Sequence, residues 1–173
     1  MKKRLSIILV FILLMSGIGA ATIQYTENTE TYQSLTKTID FPTVSVTETT
    51  EEYVKIQMDD IESNILMPGK PVLPKKIIQY QLPFGVTDIS IDITPGAIKE
   101  KSISKQILPA PAIFSFSGTD NRPFQPVKDP DVYQSTQLFP SELFKYDVMC
   151  GLNKDGDHVT FITVHLYPVR YQP

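Results

Sequence analysis

The sequence predicts an all-β protein, an antiparallel β-sandwich of about seven or eight short strands with little helix. Three observations predict it. Proline is plentiful and glycine scarce, 14 against 8 in 173 residues, which favours short strands and firm turns over long helices. Apolar and polar residues alternate in several windows, the period-two pattern of a half-buried strand. Turn-forming pairs recur between those windows at the spacing of a sandwich, and there is no solenoid-type repeat.

Residues 1–21 read as a secretory signal peptide. Lys2, Lys3 and Arg4 form a basic start, residues 5–15 are almost wholly apolar, and small residues follow. Cleavage after Ala21 places Gly19 and Ala21 in the two critical small positions. The apolar run is short for a membrane span of about 20 residues. No cysteine follows it, so nothing supports a lipid anchor there. The product is expected to be secreted, extracellular or at the cell surface, with no membrane contact after cleavage.

Residues 22–50 are rich in threonine, serine and glutamate, and are expected to form a flexible or loosely docked lead-in. Within it, Phe41, Val44 and Val46 are candidates for a first docked strand. Residues 51–173 are expected to be the folded domain. Its first strand covers residues 53–58, with Val54, Ile56 and Met58 turned to one side. Pro68 and Gly69 suit the central positions of a type II turn. Pro71 and Pro74 then hold the chain extended. A strand over 76–82 ends at Pro83, Phe84 and Gly85. The next, over 86–94, carries Ile89, Ile91 and Ile93 on one face.

Pro95 and Gly96 turn the chain. Residues 97–108 suit a return strand, although their lysine-rich stretches also fit a helix. Residues 113–116 form a short strand. Residues 117–140 are a long proline-punctuated surface loop, and loops of that length tend to be functional or mobile. Ser141 is a candidate cap for one helical turn reaching Phe144. Residues 147–152 and 158–167 form a hairpin whose turn holds Asp155 and Gly156. On its second strand Thr160, Ile162, Val164 and Leu166 alternate with Val159, Phe161, Thr163 and His165.

Charge excludes several functions. The formal charge is −3, and losing the three positive charges of the leader takes the remainder to −6. That balance argues against nucleic acid and anionic membranes as partners. One cysteine rules out an internal disulfide framework, and with two histidines it leaves little for a zinc site. No cofactor is implied, since no phosphate-binding glycine loop occurs.

Cys150 invites a nucleophile role with His158 or His165 as base. It sits among apolar residues with no oxyanion glycine loop, so a small buried apolar role is expected instead. Residues 153–157 resemble a fragment of a calcium loop, but lack its run of oxygen ligands and read as a polar turn. Asp59 and Asp60 read as solvated, and His165 as a strand-face residue.

From Tyr53 onward the order of features resembles the N-terminal propeptide of gingipain-type cysteine peptidases. The residues that carry it are Tyr53, Val54, Lys55 and Ile56, then Pro68, Gly69, Pro71, Leu73 and Pro74, then Leu82 to Gly85. After the Ile89/Ile91/Ile93 strand come Ile107, Pro109 and Pro111, and finally Leu166, Pro168, Tyr171 and Pro173. The resemblance implies a β-sandwich prodomain, exported ahead of a caspase-like cysteine peptidase domain. It would help that domain fold and hold it latent, in cis or in trans, with no catalytic residue of its own. Family members continue past the position of Pro173, so the chain is expected to be a piece of a longer precursor. Missing closing strands would leave an open sheet edge. The turn over 153–157 departs from the shorter turn of the family.

Latency would need a side chain that fills the specificity pocket and resists cleavage. Past the leader only Arg122 and Arg170 are arginines. Arg122 precedes Pro123, which lacks an N–H and restrains the residue before it. Arg122 and Pro123 are therefore the candidate inhibitory loop, set against an ordinary solvated arginine. Lys105 and Lys128 are substitutes if the pocket prefers lysine. Arg170 is expected to pack or pair at the sheet end. The other classes are a stand-alone secreted β-sandwich for adhesion or binding, and a small hydrolase using Cys150.

Overall fold

The computed structural model describes residues 12–15, 19–27, 31–61, 63–112 and 126–173. In chain order the first strands are β1 (Ile12–Met15), β2 (Gly19–Glu27), β3 (Thr31–Ile39), β4 (Val44–Glu48), β5 (Tyr53–Met58), β6 (Asn64–Ile65) and β7 (Leu73–Pro74). They are followed by β8 (Lys76–Pro83), β9 (Thr87–Thr94), β10 (Ile98–Lys101) and β11 (Gln106–Ile107). A single helical turn, α1 (Pro130–Tyr133), precedes β12 (Phe144–Leu152), β13 (His158–Leu166) and β14 (Val169–Tyr171). The fold is all-β. The described residues hold more and shorter strands than the seven or eight expected.

Alternation on the last hairpin organises one core. Strand β13 buries Thr160, Ile162, Val164 and Leu166, the predicted row. It lies between β12 and β8 in an antiparallel sheet. A second antiparallel sheet has the order β3-β2-β9. The two sheets share a cluster in which Ile23, Ile39 and Ile91 of the second meet Leu82, Ile162, Val164 and Leu166 of the first. The isoleucine row of β9 behaves as expected, with Ile91 buried and Ile89 and Ile93 packed against the cluster.

The other core gathers around β5, which pairs antiparallel with β4 and parallel with β11. Val54, Ile56 and Met58 are buried there with Leu73, Ile107, Tyr133, Val169 and Tyr171. Short strands β6 and β7 pair alongside. The hairpin turn is closed by Asn153, whose side-chain oxygen accepts the N–H groups of Asp155 and Asp157, each at 2.9 Å. Gly156 takes φ +86°, the left-handed conformation that favours glycine.

Four expectations are corrected. Residues 22–50 are no loose lead-in: they supply most of β2, all of β3 and β4, and the buried Ile23, Ile39 and Val44. Threonine made the segment look polar, yet its β-branched side chain suits strands. A strand buried on one face needs apolar residues only at alternate positions. A boundary at residue 50 therefore separates nothing, because β4 and β5 pair across it.

The helical turn lies at 130–133 and not at 141–144. Asp129 caps it by accepting the Asp131 N–H at 3.0 Å, and Pro130 occupies a first-turn position that has no N–H to lose. Phe144 begins β12 instead. The far end of the expected 117–140 loop holds α1, whose Val132 and Tyr133 are buried. The 97–108 stretch divides into β10 and β11. The expected strand over 113–116 lies outside the described residues.

Leader residues Ile12–Met15 form β1, the middle strand between β10 and β14. Removing the leader after Ala21 would take β1 and the start of β2 out of their sheets. Among the described residues no helix is long and apolar enough to cross a membrane.

Ile162 is fully buried at the centre of the first core, whereas Leu66 is 66% exposed. Ile162→Ala should lower the unfolding free energy by about 2–5 kcal/mol, and Leu66→Ala should change it by less than about 0.5 kcal/mol. Urea titration followed by circular dichroism measures both.

Candidate functional site: a loop held at both stems

Met67, Pro68, Gly69 and Lys70 form the predicted type II turn. Gly69 has φ +76°, and the Lys70 N–H donates to the Met67 carbonyl at 2.9 Å. The turn does more than reverse the chain. The Gly69 N–H donates to the Ala110 carbonyl at 2.9 Å, and the Gly69 carbonyl accepts from the Asp129 N–H at 2.9 Å. One residue therefore holds the two ends of the 111–128 segment. A Cβ on Gly69 would stand 3.2 Å from the Asp129 nitrogen and 3.3 Å from the Val127 carbonyl oxygen. Glycine is needed for its φ and for this close approach.

The first stem is fastened further along. The Ala110 N–H donates to the Lys70 carbonyl at 2.8 Å, the Val72 N–H to Leu108 at 3.0 Å, and the Leu108 N–H to Val54 at 2.9 Å. The second stem continues into α1, where the Tyr133 hydroxyl donates to the Ile107 carbonyl at 2.6 Å in a buried site. That bond ties one stem to the other beneath the turn. The Tyr133 and Tyr171 rings pack with centroids 6.0 Å apart. Tyr171 also exchanges backbone bonds with Phe139, at 2.8 and 2.7 Å. Gln172 Nε2 donates to the Thr136 carbonyl at 2.8 Å.

The proline-rich part of the set that carried the resemblance lies here. Pro71, Pro74, Pro109 and Pro168 are fully buried, as are Leu73 and Tyr171. Proline has no N–H, so burying it beside irregular backbone leaves one fewer donor to satisfy. Pro68 bridges to Ala110 and Pro71 to Pro109. Pro111 is exposed where the first stem ends, and Pro173 is half-buried.

Arg122 and Pro123 lie outside the described residues. Arg170 is engaged as expected: Nε donates to the Pro140 carbonyl at 2.8 Å and a guanidinium N–H to Ser141 at 2.6 Å. Burial lowers its pKa. Both substitute lysines make contacts within the chain. Lys105 pairs with Glu48 at 2.6 Å, and Lys128 donates to the Gln106 side chain at 3.0 Å.

Cys150 is exposed, not buried, with its sulfur 3.9 Å from the Thr160 hydroxyl. Its apolar neighbours in sequence suggested a core strand, but β12 is the edge of its sheet. His165 lies on the other face of the hairpin, 3.3 Å from an Asp147 carboxylate oxygen. The His158 ring packs on Phe84 at 5.4 Å. Among the described residues no group of three metal-ligating side chains occurs.

Comparison with known proteins finds no match among family models, curated proteins or solved structures. The site therefore rests on its own geometry. Sequence reasoning missed Ala110, Asp129 and Tyr133. The Asp129-Pro130 pair, a cap followed by a first-turn proline, was the legible signal for the second stem.

Gly69→Ala should destabilise the chain by about 1–3 kcal/mol through strain at positive φ. It should also speed proteolytic nicking between residues 111 and 128. Gly156→Ala is the control for strain alone, since nothing lies within 4 Å of its Cβ position.

Burial raises the pKa of Tyr133, and pushes Tyr171 up from 10.0 to about 12. Folding therefore holds these phenolic protons more tightly than the unfolded chain does. Their contribution is fully present below pH 10.0 and is lost as pH rises through about 12. Melting temperature should fall from about pH 10 upward, and Tyr171→Phe should flatten that fall.

Proposed function

We propose that this chain is a secreted, non-catalytic prodomain with a β-sandwich fold. It keeps a caspase-like cysteine peptidase of the gingipain type latent and helps it fold, in cis or in trans. The observation that carries this reading is the double hold of Gly69 on Ala110 and Asp129. One part of the residues that carry the resemblance to gingipain propeptides, at Val54, Pro68 to Leu73 and Ile107 to Pro109, supports the stems of the segment containing Arg122 and Pro123.

The physical argument concerns preorganisation. A free peptide loses conformational entropy when it enters a peptidase cleft. A loop whose ends are already fixed loses less, so more of its contact energy appears as affinity. An arginine side chain offers a planar fork of donors suited to a carboxylate at the base of a pocket. Pro123 follows, with no N–H to donate and with restraint on Arg122. Arg122 then occupies the pocket while the bond behind it resists attack. The proposal requires no nucleophile in this chain, and the exposed Cys150 has no part in it.

Titrating an arginine-specific gingipain-type peptidase with the purified chain tests the reading. Inhibition is expected, and Arg122→Ala should weaken it by about 30-fold or more, the effect of losing an interface anchor of roughly 2 kcal/mol. An inhibition constant unchanged by Arg122→Ala removes the plug. No inhibition by the unaltered chain removes the prodomain reading and favours a stand-alone binding module.

A further inference from the structure

Strand β12 is a nine-residue sheet edge. Among the described residues it pairs with β13 and has no strand on its other side. Register places Phe144, Tyr146, Val148 and Cys150 opposite Leu166, Val164, Ile162 and Thr160. In an antiparallel sheet such pairs share a face, so the even-numbered residues of β12 lie on the core side. Yet Tyr146 is 41% exposed, Val148 43% and Leu152 58%. The core cluster covers the row of β13 but reaches only Phe144 on β12. Among the described residues an apolar stripe is left bare beside a strand edge with no pairing partner.

Natural edges are usually guarded by proline, a bulge or an inward charge. Strand β8, the other edge of this sheet, has Lys76 and Pro83 at its ends. Strand β12 has no proline, and its nine pairs with β13 run without a register shift. Its two charged residues, Lys145 and Asp147, are odd-numbered and lie on the outer face.

We propose that β12 is the interface for a second copy of this chain, added antiparallel about a two-fold axis through Val148. The sequence of the strand is self-complementary in that register. Phe144 faces Leu152 of the other copy, Tyr146 faces Cys150, and Val148 faces itself. On the outer row Lys145 faces Gly151 and Asp147 faces Met149. All nine residues pair, and no like charges oppose. Centring the axis on Asp147 sets that carboxylate against its own copy, which is destabilising. Centring it on Met149 runs both strands into the polar turns and shortens the ladder. An isologous contact must satisfy both strands with one surface, and this register does so. The product is a continuous six-stranded sheet of order β8-β13-β12-β12-β13-β8, in which the two apolar stripes lie side by side. This interface is independent of the latency reading, so Arg122→Ala should leave it intact.

Light scattering on the purified chain should give twice the chain mass. Val148→Lys puts two like charges on the axis and should halve that mass without changing the far-ultraviolet circular dichroism. Tyr146→Cys sets a thiol opposite Cys150, at a Cβ separation of about 4.5–5.5 Å. That is close to disulfide geometry, so mild oxidation should yield a covalent dimer. Cys150→Ser in the same background should abolish it, and Val148→Cys with Cys150→Ser should restore a single bridge. A monomer at every concentration overturns the proposal. So does a dimer unaffected by Val148→Lys, or one that Tyr146→Cys fails to link. In those cases the edge is covered by another part of the chain or by a different partner.

Discussion

The constraint on which the site depends is the backbone of one residue, Gly69. Its N–H is taken by Ala110 and its carbonyl by Asp129, one at each end of the 111–128 segment. Gly69 makes both bonds at positive φ, and a Cβ there would crowd the backbone of the second stem at Val127 and Asp129. Pro68 supports this by fixing the preceding residue of the turn. The second core is then built around the result. Ile107, Leu73, Tyr133 and Tyr171 pack where the stems cross, and the Tyr133 hydroxyl satisfies a carbonyl that burial would otherwise orphan. The segment between the stems thus begins and ends on hydrogen-bonded backbone.

The two cores divide the work. The sheets of β2, β3 and β9 and of β8, β12 and β13 bury mainly isoleucine, leucine and valine along regular ladders. The β5 region buries prolines and tyrosines among short bridges. Regular ladders satisfy their own backbone. Irregular stretches do not, so there the chain uses residues without an N–H and phenols that can donate at the end of a long side chain. The proline-rich segments are therefore the scaffolding of the loop and not spacers between strands.

Much of this was legible in the residues. The alternating rows at Ile162, Val164 and Leu166, at Ile89 to Ile93 and at Val54 to Met58 report directly on which face is buried. The Pro68-Gly69 turn and the Asp155-Gly156 hairpin turn follow from local dihedral preference. Other features were hidden by the same kind of argument. Residues 31–39 hold few apolar side chains, so their strand emerges only from pairing with β2. Cys150 looks like a core residue because local sequence cannot say whether a neighbouring strand exists to cover it.

By itself the sequence determined the all-β class, the main strands, the turn glycines and the clustering of prolines. These depend on period-two patterning and on φ preferences that act within a few residues. Tertiary structure alone decided that Gly69 binds two stems, that both candidate lysines are engaged, and that β12 ends its sheet among the described residues. Each of these is a contact between segments tens of residues apart. Their partners are set by how the sheets stack and where they run out, which no short window of sequence contains.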